Sequence, residues 1–398
     1  MKKRNTLMNV FSFFISLSVF LFSASSVQAK SLTYIKEYSY QASELDSKVT
    51  SRTVALAQVK KILLEELGTY LVSESAVKDF ELTKDQVSSL TAGIVMTVIL
   101  DERWDGKTYT LRVKMTADTE ELIKSINSVR NNQSQAKDLS EIREKTDEAL
   151  RKIEILKKEM ERAGADRTTE EKYVKAVSEL NSIDWYKKGY ALRYTAKNNQ
   201  EAMKAFDKVI EIDPGNAKAY AARAAIYNEW GQYSKGLKES EKAVSIDRQL
   251  AWAFHTHGWA HIGMNHTVQA IADFNKAIEL DPQFAWSYSH RSWAYFLRKD
   301  YQQALADADK AVQLDPELYQ AYFRKGKALA ALNNIREAIK NFTKAIELNP
   351  EFSWSYLQRA YSFLKTAETS RAMDDFRKAA AMGNDEAKAY LTKKGIQW

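Results

Sequence analysis

The chain has 398 residues, of which 59 are Lys or Arg and 52 are Asp or Glu, with 13 Gly, 4 Pro and no Cys. This composition is that of a globular protein and excludes collagen-like, disordered and disulfide-stapled classes. The lack of cysteine also excludes thiol nucleophiles, thiolate metal sites, iron–sulfur clusters and a lipidated N-terminal cysteine. Since Gly and Pro are scarce beside abundant Ala, Lys and Glu, the composition predicts a mainly helical fold.

Residues 1–29 have the pattern of a secretory signal peptide. A basic start at 2–4 is followed by the apolar run Val10–Phe22 and by the small residues of 27–29. The run is shorter than the ~20 residues that span a bilayer, and no later segment is long and apolar enough to span one. We therefore expect cleavage near Lys30 and export to a bacterial periplasm or exterior. The mildly positive charge of the chain does not indicate a nucleic-acid partner.

A repeat of 34 residues is the strongest pattern in the sequence. Within residues 251–282, two stretches of helical periodicity flank the turn Gly263–Asn265, and Asp281–Pro282 ends the second stretch. Each period is therefore predicted to be a pair of antiparallel helices. Small residues recur on the first helices at Gly258, Ser292, Gly326 and Ala360, and on the second helices at Ala202, Gly236, Ala270, Ala304, Ala338 and Ala372. Aromatic residues recur in one column at Phe206, Phe274, Phe342 and Phe376, and in a further column at Tyr220, Phe254, Tyr288, Tyr322 and Tyr356.

The period, the closing prolines and the small and aromatic columns resemble the tetratricopeptide repeat, or TPR. Units of this family are helix–turn–helix pairs that stack into a superhelix, an α-solenoid. The resemblance covers about six units, and we assign residues 170–384 to the superhelix and 385–398 to a C-terminal capping helix. In two units Arg248 and Asn384 stand in place of the closing proline. We expect the fold to tolerate both replacements. The resemblance implies a concave groove, lined by the first helices, that binds partners.

Residues 30–130 are predicted to form a small α+β domain. An alternating segment precedes a stripe of apolar residues at helical spacing, and Asp105–Gly106 marks a β-hairpin because Gly tolerates the positive φ of such turns. The order of these elements is loosely similar to N-terminal modules of bacterial envelope proteins such as the flagellar-motor ring protein FlgT. The predicted strands are 34–40, 94–100 and 108–115, and the predicted helices cover 45–67, a segment that begins at 83–86, and 119–129.

Residues 135–165 are predicted to form a helical spacer. Apolar residues spaced by three and four positions make a heptad seam on an otherwise charged helix. The seam has two interpretations: a parallel coiled coil that joins two copies of the chain through residues 139–163, or a single solvent-exposed linker helix. The seam residues are Leu139, Ile142, Thr146, Ala149, Ile153, Leu156, Met160 and Ala163.

The sequence contains no motif that indicates catalysis. A glycine-flanked serine elbow, an HExxH motif and a dinucleotide-binding fingerprint are all lacking. His257 and His261 share a helix face at the spacing of a zinc site. Because His261 falls in a column filled by Tyr227 and Tyr295, and no carboxylate stands at matching spacing, we expect structural histidines and predict no metal and no cofactor.

Besides the residues that pack inside each unit, the first helices carry a second stripe of apolar residues. This stripe is the main indication of function. It suits an apolar or extended peptide, because rigid aromatic rings cost little conformational entropy to present. The alternative is that tryptophans at the helix starts pack on the preceding unit. Arg324 and Lys327 are the main cations of the groove, which gives little support for a clamp on a terminal carboxylate. The predicted peptide-binding residues are Trp252, His255, Trp259, Trp286, His290, Trp293, Phe296, Phe323, Trp354 and Tyr361.

These patterns together predict a non-enzymatic exported scaffold. Its TPR superhelix is expected to bind a protein or peptide in an aromatic-lined groove during assembly of a cell-envelope complex. A second hypothesis is binding of envelope polysaccharide or peptidoglycan, since exposed Trp and Tyr rings also stack on sugars. A hydrolase within residues 32–126 is disfavoured, because that region contains no histidine and no evident nucleophile–base pair.

Overall fold

The computed structural model describes residues 31–43, 46–73, 97–120, 133–163, 166–194 and 197–397. It also describes the isolated positions 87, 91, 95, 122, 123 and 126. The chain is mainly helical with a small strand-containing region near its N-terminal end, which confirms the predicted fold class. The predicted signal peptide and the predicted helix start at 83–86 lie outside the described residues. Within the described part of the chain, no helix is long and apolar enough to cross a membrane.

Three antiparallel strands form a sheet of order β1-β3-β2. The β2–β3 hairpin turns through Gly106, whose φ of +96° disfavours any side chain, as the sequence predicted. The Asp105 carboxylate stabilises the turn by accepting hydrogen bonds from two backbone amides, of which the shorter is 2.6 Å from Thr108. The strands are β1 (Ser31–Gln41), β2 (Thr97–Trp104) and β3 (Thr108–Asp118).

Helix α1 (Lys48–Ser73) covers one face of this sheet. Alternate residues of β3 point to that face and are buried, which is the period-2 pattern of a half-buried strand. Leucines at positions 63, 67 and 71 of α1 recur at i and i+4 and are fully buried. The sheet and α1 therefore form the predicted α+β region.

The long helix α2 (Gln133–Ala163) packs along α3 (Arg167–Tyr194) of the same chain. Seven positions of its heptad seam, from Leu139 to Met160, are only 1–7% exposed. Burial within one chain already removes these apolar groups from water, so the seam has no free face for a second copy. Both interpretations of the seam, a coiled coil with a second copy and a solvent-exposed linker helix, are therefore incorrect. Helix α2 packs against its own chain.

The hydrophobic core is continuous from the sheet to the second helical pair. Polar contacts also cross this junction: Lys60 of α1 pairs with Asp184 of α3 at 2.6 Å, and the Tyr173 hydroxyl donates to Asp46 at 2.5 Å. The α+β region, α2 and the first repeat thus fold against one another rather than being separated by a spacer.

Six helical pairs follow one another in the described part of the chain, and the first helix of the first pair is α3. In each later pair the first helix has 13 residues, and its successor lies antiparallel to it. The remaining helices are α4 (Asn199–Ile212), α5 (Ala217–Glu229), α6 (Tyr233–Ile246), α7 (Ala251–Gly263), α8 (Thr267–Leu280), α9 (Ala285–Leu297), α10 (Tyr301–Leu314), α11 (Tyr319–Ala331), α12 (Ile335–Leu348), α13 (Ser353–Lys365), α14 (Thr369–Ala381) and a final helix, α15 (Asp385–Lys393).

The small and aromatic columns are explained by close packing within each pair. A Cβ atom on Gly326 would lie 2.6 Å from the ring of Phe342, which is fully buried. The turn after each first helix has a residue with positive φ, such as Asn265 at +63°, and the next amide, His266, bonds back to the carbonyl of His261 at 2.8 Å. Local sequence therefore fixes both the length and the approach of the helices.

A partly buried ion pair joins the first and second helix in three of the units. In the last of these, the Arg359 guanidinium donates two hydrogen bonds to Asp375, at 2.7 and 2.8 Å. A bidentate pair of this kind fixes orientation as well as charge. The three pairs have the same spacing of 16 residues and are Arg223–Glu239, Arg291–Asp307 and Arg359–Asp375.

Each end of the array is covered by a helix outside the repeats. At the C-terminal end, Tyr390 of α15 stacks on Phe376 with ring centroids 4.0 Å apart, and Leu391 is buried. The Asn384 side chain caps α15 by accepting a hydrogen bond from the Ala387 amide. At the other end, α2 lies against α3. Both terminal units therefore have apolar neighbours.

Candidate functional site

The first helices of successive units touch one another, which places them on the inner side of the array. A cavity of about 470 Å³ opens on this side between α2, α3, α7 and the start of α9. Four of the predicted peptide-binding residues line it: Trp252, His255, Trp259 and Trp286. The structure therefore brings these four side chains together at the N-terminal half of the groove.

His255 and His290 form a buried aromatic pair beneath this surface. Each is only 4% exposed, and their ring centroids are 5.0 Å apart. His255 contacts the Ser287 hydroxyl at 3.1 Å. Burial, and secondly the charge of Arg324, lower the pKa of His255 to about 3 and that of His290 well below its usual value. Both imidazoles are therefore neutral at physiological pH and act as part of the aromatic wall.

Trp259 and Trp293 are half-buried and held by stacking. Trp259 stacks on His290 with centroids 5.0 Å apart, and Trp293 stacks on Phe296 at 5.2 Å. The Lys327 ammonium lies 4.9 Å from the centroid of the Phe296 ring. These contacts order the rings while leaving part of each accessible, which suits binding of an apolar group.

Other predicted residues divide between packing and exposure. Trp252 packs against a cluster that includes Ala221 and Ala243 of the preceding unit, and Trp286 packs against one that includes Leu318 and Ala321 of the following unit. The predicted alternative of packing on the preceding unit thus applies to Trp252, whereas Trp354 is 46% exposed.

Phe323 and Tyr361 are half-buried outside the cavity. Phe323 contacts the rings of Phe342 and Phe352, and Tyr361 contacts Phe376 and donates a hydrogen bond from its hydroxyl to Glu386 at 3.0 Å. The ten predicted residues therefore do not form one pocket.

Several residues of the cavity were missed by sequence reasoning. Arg193 of α3 lies 6.0 Å from the Trp252 ring centroid and pairs with Glu229 at 2.6 Å. Asp138 and Glu141 of α2 pair with Lys218 at 3.1 and 2.8 Å. No local pattern marks these positions, because α2 reaches the groove only through its packing on α3.

Arg324 of α11 is a half-buried cation without an acidic partner among the described residues. Its guanidinium donates a 2.5 Å hydrogen bond to the Ser289 hydroxyl, and desolvation lowers its pKa. The nearby imidazoles of His255 and His290 are neutral at physiological pH. The first helices therefore have a positive charge that no carboxylate of the described residues neutralises.

A second cavity of about 360 Å³ lies between α1, β2, α2 and α3. Its lining includes cations that are already paired, such as Lys60 with Asp184 at 2.6 Å and Lys61 with Asp147 at 2.7 Å. Carboxylates of the same chain already neutralise these lysines. The second cavity therefore offers a ligand fewer unpaired charged groups than the groove does.

Comparison with known proteins places the repeats in a family. Models of the tetratricopeptide repeat match residues 185–216, 205–238, 253–284, 285–318 and 319–352. Hsp70-Hsp90 organizing protein 1 of Glycine max is 33% identical over 81 residues, 18% of this chain and 14% of that protein. Mitochondrial import receptor subunit TOM70 of Rattus norvegicus is 35% identical over 75 residues, 18% of this chain and 12% of that protein. The matches thus span less than a sixth of either relative.

Solved structures of repeat proteins are also similar. The TPR protein YrrB is 21% identical, with 48% of this chain and 99% of that chain covered and a TM-score of 0.37. The pilF protein of Pseudomonas aeruginosa is 16% identical, with 54% and 99% covered and a TM-score of 0.45. With the 34-residue period and the paired helices, the family matches identify residues 185–238 and 253–352 as tetratricopeptide repeats.

Proposed function

We propose that the protein is a non-enzymatic, exported adaptor that binds an extended segment of a partner protein in the groove formed by its first helices. The supporting observation is the row of half-buried, stacked rings formed by Trp259, Trp293 and Phe296 on α7 and α9. Rings already ordered in the free protein lose little conformational entropy on binding. Related proteins that share TPR units include a chaperone-organizing protein and an import receptor, both named for protein partners.

The charge of the groove specifies the partner further. Arg324 is half-buried near neutral imidazoles and has no acidic partner among the described residues, so no carboxylate neutralises its positive charge. A carboxylate on the bound segment would restore a charge-assisted hydrogen bond at low dielectric. The proposed ligand is therefore a peptide with apolar side chains for the Trp259–Trp293 surface and an acidic group for Arg324.

The basic and apolar pattern of residues 1–29 supports export, and the cell envelope is the proposed place of action. Assembly of an envelope complex is the proposed role, because repeat arrays present long surfaces to extended partners. Envelope polysaccharide is the other ligand that exposed indole rings would suit.

Replacing Trp259 and Trp293 together by Ala should abolish retention of the partner. Hot-spot aromatic residues contribute about 2 kcal/mol or more each, so the peptide mapped from that partner should lose at least ~100-fold in affinity. Affinity purification from the envelope fraction, followed by fluorescence anisotropy with the mapped peptide, measures both. Trp230→Ala is a matched control, since Trp230 is 40% exposed and lies outside the cavity lining.

The variants should match the native circular dichroism spectrum. Retention of the same protein by the native chain and the double variant would identify the tryptophans as packing residues. Loss of polysaccharide retention alone would support the alternative ligand instead.

Arg324→Gln should have opposite effects on binding and on stability. The peptide is expected to lose about 10- to 100-fold in affinity, because hydrogen bonds to charged groups contribute about 1.5–3 kcal/mol. Folding should be unaffected or more stable, since a half-buried charge without a carboxylate partner is removed and Gln358 occupies the same position in the next unit. Titration of the peptide and thermal unfolding measure the two effects.

Arg298→Gln provides the control, because Arg298 is 45% exposed and pairs with Asp300. Equal losses in the two variants would indicate a general charge effect and contradict an acidic contact at Arg324.

A further inference from the structure

The third repeat departs from the ion-pair column of its neighbours. At the position where other units place Arg223, Arg291 and Arg359, this unit has His257, and the acidic partner is retained as Asp273. Arginine is permanently charged and neutralises its carboxylate, whereas a neutral imidazole does not. The third unit therefore keeps the acid of the column and replaces its fixed counter-charge with a potential metal ligand.

A second histidine faces the same carboxylate. His261, one turn after His257 on α7, takes the column position that Tyr227 and Tyr295 fill in other units. The Asp273 Oδ2 atom of α8 lies 2.9 Å from His257 Nδ1 and 3.9 Å from His261 Nε2. One ligand atom from each of the three residues lies within 4.8 Å of the other two, and all three residues are half-buried.

Negative charge beside the histidines favours binding of a cation. The Asp273 carboxylate and, at longer range, Glu241 act electrostatically on His261. A divalent ion binds histidine as the neutral imidazole and aspartate as the carboxylate, and the cluster supplies both kinds of ligand.

A third histidine orients His261. The Nδ1 atoms of His261 and His266 are 3.3 Å apart, so this contact occupies the nitrogen of His261 that faces away from Asp273. A proton on Nδ1 leaves the lone pair of Nε2 directed to the carboxylate side. Metal-binding histidines are characteristically held in this way by a hydrogen bond to the other ring nitrogen.

We propose that His257, His261 and Asp273 bind one divalent transition-metal ion, for which zinc is the best chemical fit. Zinc accepts imidazole nitrogen and carboxylate oxygen in tetrahedral geometry at about 2.0–2.2 Å, which places neighbouring ligand atoms about 3.4 Å apart. The two gaps of 2.9 and 3.9 Å to Asp273 Oδ2 bracket that separation. The ion would join α7 to α8 within the unit, as the arginine–carboxylate pairs do in other units, and a fourth position stays open to water.

No carboxylate stands at the spacing of a zinc site along α7 itself. The carboxylate stands instead on the second helix of the unit, 16 residues after His257. Antiparallel packing of α7 and α8 brings it to the histidine face. None of the three ligands lines the groove cavity.

The test uses the full chain without a polyhistidine tag, treated with a chelator and then titrated with Zn²⁺ in a calorimeter. We expect saturable binding of one ion per chain and an increase in the temperature of unfolding, because the ion binds the folded form. Titration with Co²⁺ should give the absorption spectrum of tetrahedral nitrogen and oxygen coordination. His257→Arg should abolish binding without unfolding the chain, since it restores the arginine of the neighbouring units.

His261→Tyr, which introduces the residue of the second and fourth units, should also abolish binding. His255→Phe is the control, because it removes a histidine of the groove and leaves the three ligands intact. Stoichiometric binding that survives either ligand variant would overturn the proposal. So would a native chain that binds no more Zn²⁺ than His257→Arg, and the contact between His257 and Asp273 would then be a hydrogen bond alone.

Discussion

Acidification to about pH 5 should lower the free energy of unfolding by about 2 kcal/mol through His255, and further through His290. Burial lowers the pKa of both imidazoles from the ordinary 6.5, to about 3 for His255. Below pH 6.5 the unfolded chain therefore binds protons that the folded chain does not, so stability decreases as the pH falls. His255 contributes about 1.4 kcal/mol per pH unit in this window, which is about 2 kcal/mol at pH 5, and His290 adds to the loss in the same direction.

Urea denaturation at about pH 7.5 and about pH 5 measures this loss. The double variant His255→Phe, His290→Gln removes both groups, and the residues it introduces occur at the same column positions as Phe323 and Gln358. We expect its stability to change by at least about 2 kcal/mol less than that of the native chain over the same interval. Carboxylates contribute to both proteins and cancel in the comparison. An identical pH dependence would mean that the two imidazoles are accessible to protons in the folded state.

Phe342→Ala should destabilise the fold by about 3–5 kcal/mol. Phe342 is fully buried between α11 and α12, its ring lies 5.9 Å from that of Phe323, and Gly326 faces it without a side chain. The neighbouring backbone cannot refill the space, because the helices are fixed by the same contacts in adjacent units. A cavity would therefore remain, and its cost adds to the lost burial.

Chemical denaturation measures the total effect, and amide hydrogen exchange locates it. Since each unit contacts only its neighbours, exchange should accelerate mainly from α9 to α14 and remain slow in the sheet and α1. Val268→Ala on α8 is the control, because Val268 is 66% exposed and its truncation should change stability by no more than about 0.5 kcal/mol. A loss below about 1 kcal/mol for Phe342→Ala would show that the pair collapses onto the missing ring.

Features that depend on contacts between residues close in the sequence could be predicted from the sequence. The 34-residue period, the glycine of the β2–β3 turn and the small residues such as Gly326 each act through contacts within one hairpin or one pair of helices. Helix pairing, hairpin position and the inner face of the first helices could therefore be predicted from the residues alone.

Features that depend on distant packing could not be predicted. The heptad pattern of α2 shows that one face needs an apolar partner, but it does not say which surface supplies it, and α3 supplies it here. The aromatic stripe identified Trp259, whereas Arg193 enters the cavity from a preceding unit. Asp273 joins the histidine cluster only because α8 folds back along α7. Each case requires knowledge of which elements are neighbours.

The covering of both ends of the array limits how the protein can assemble. A repeat unit with a bare end presents the surface that the next unit would occupy, so uncovered arrays tend to stack head to tail into open filaments. Here α2 occupies that surface before the first unit, and α15 occupies it after the last, where Tyr390 lies on Phe376. The number of repeats, and with it the length of the binding surface, is therefore fixed within the single chain, and growth in concentration should not lengthen it.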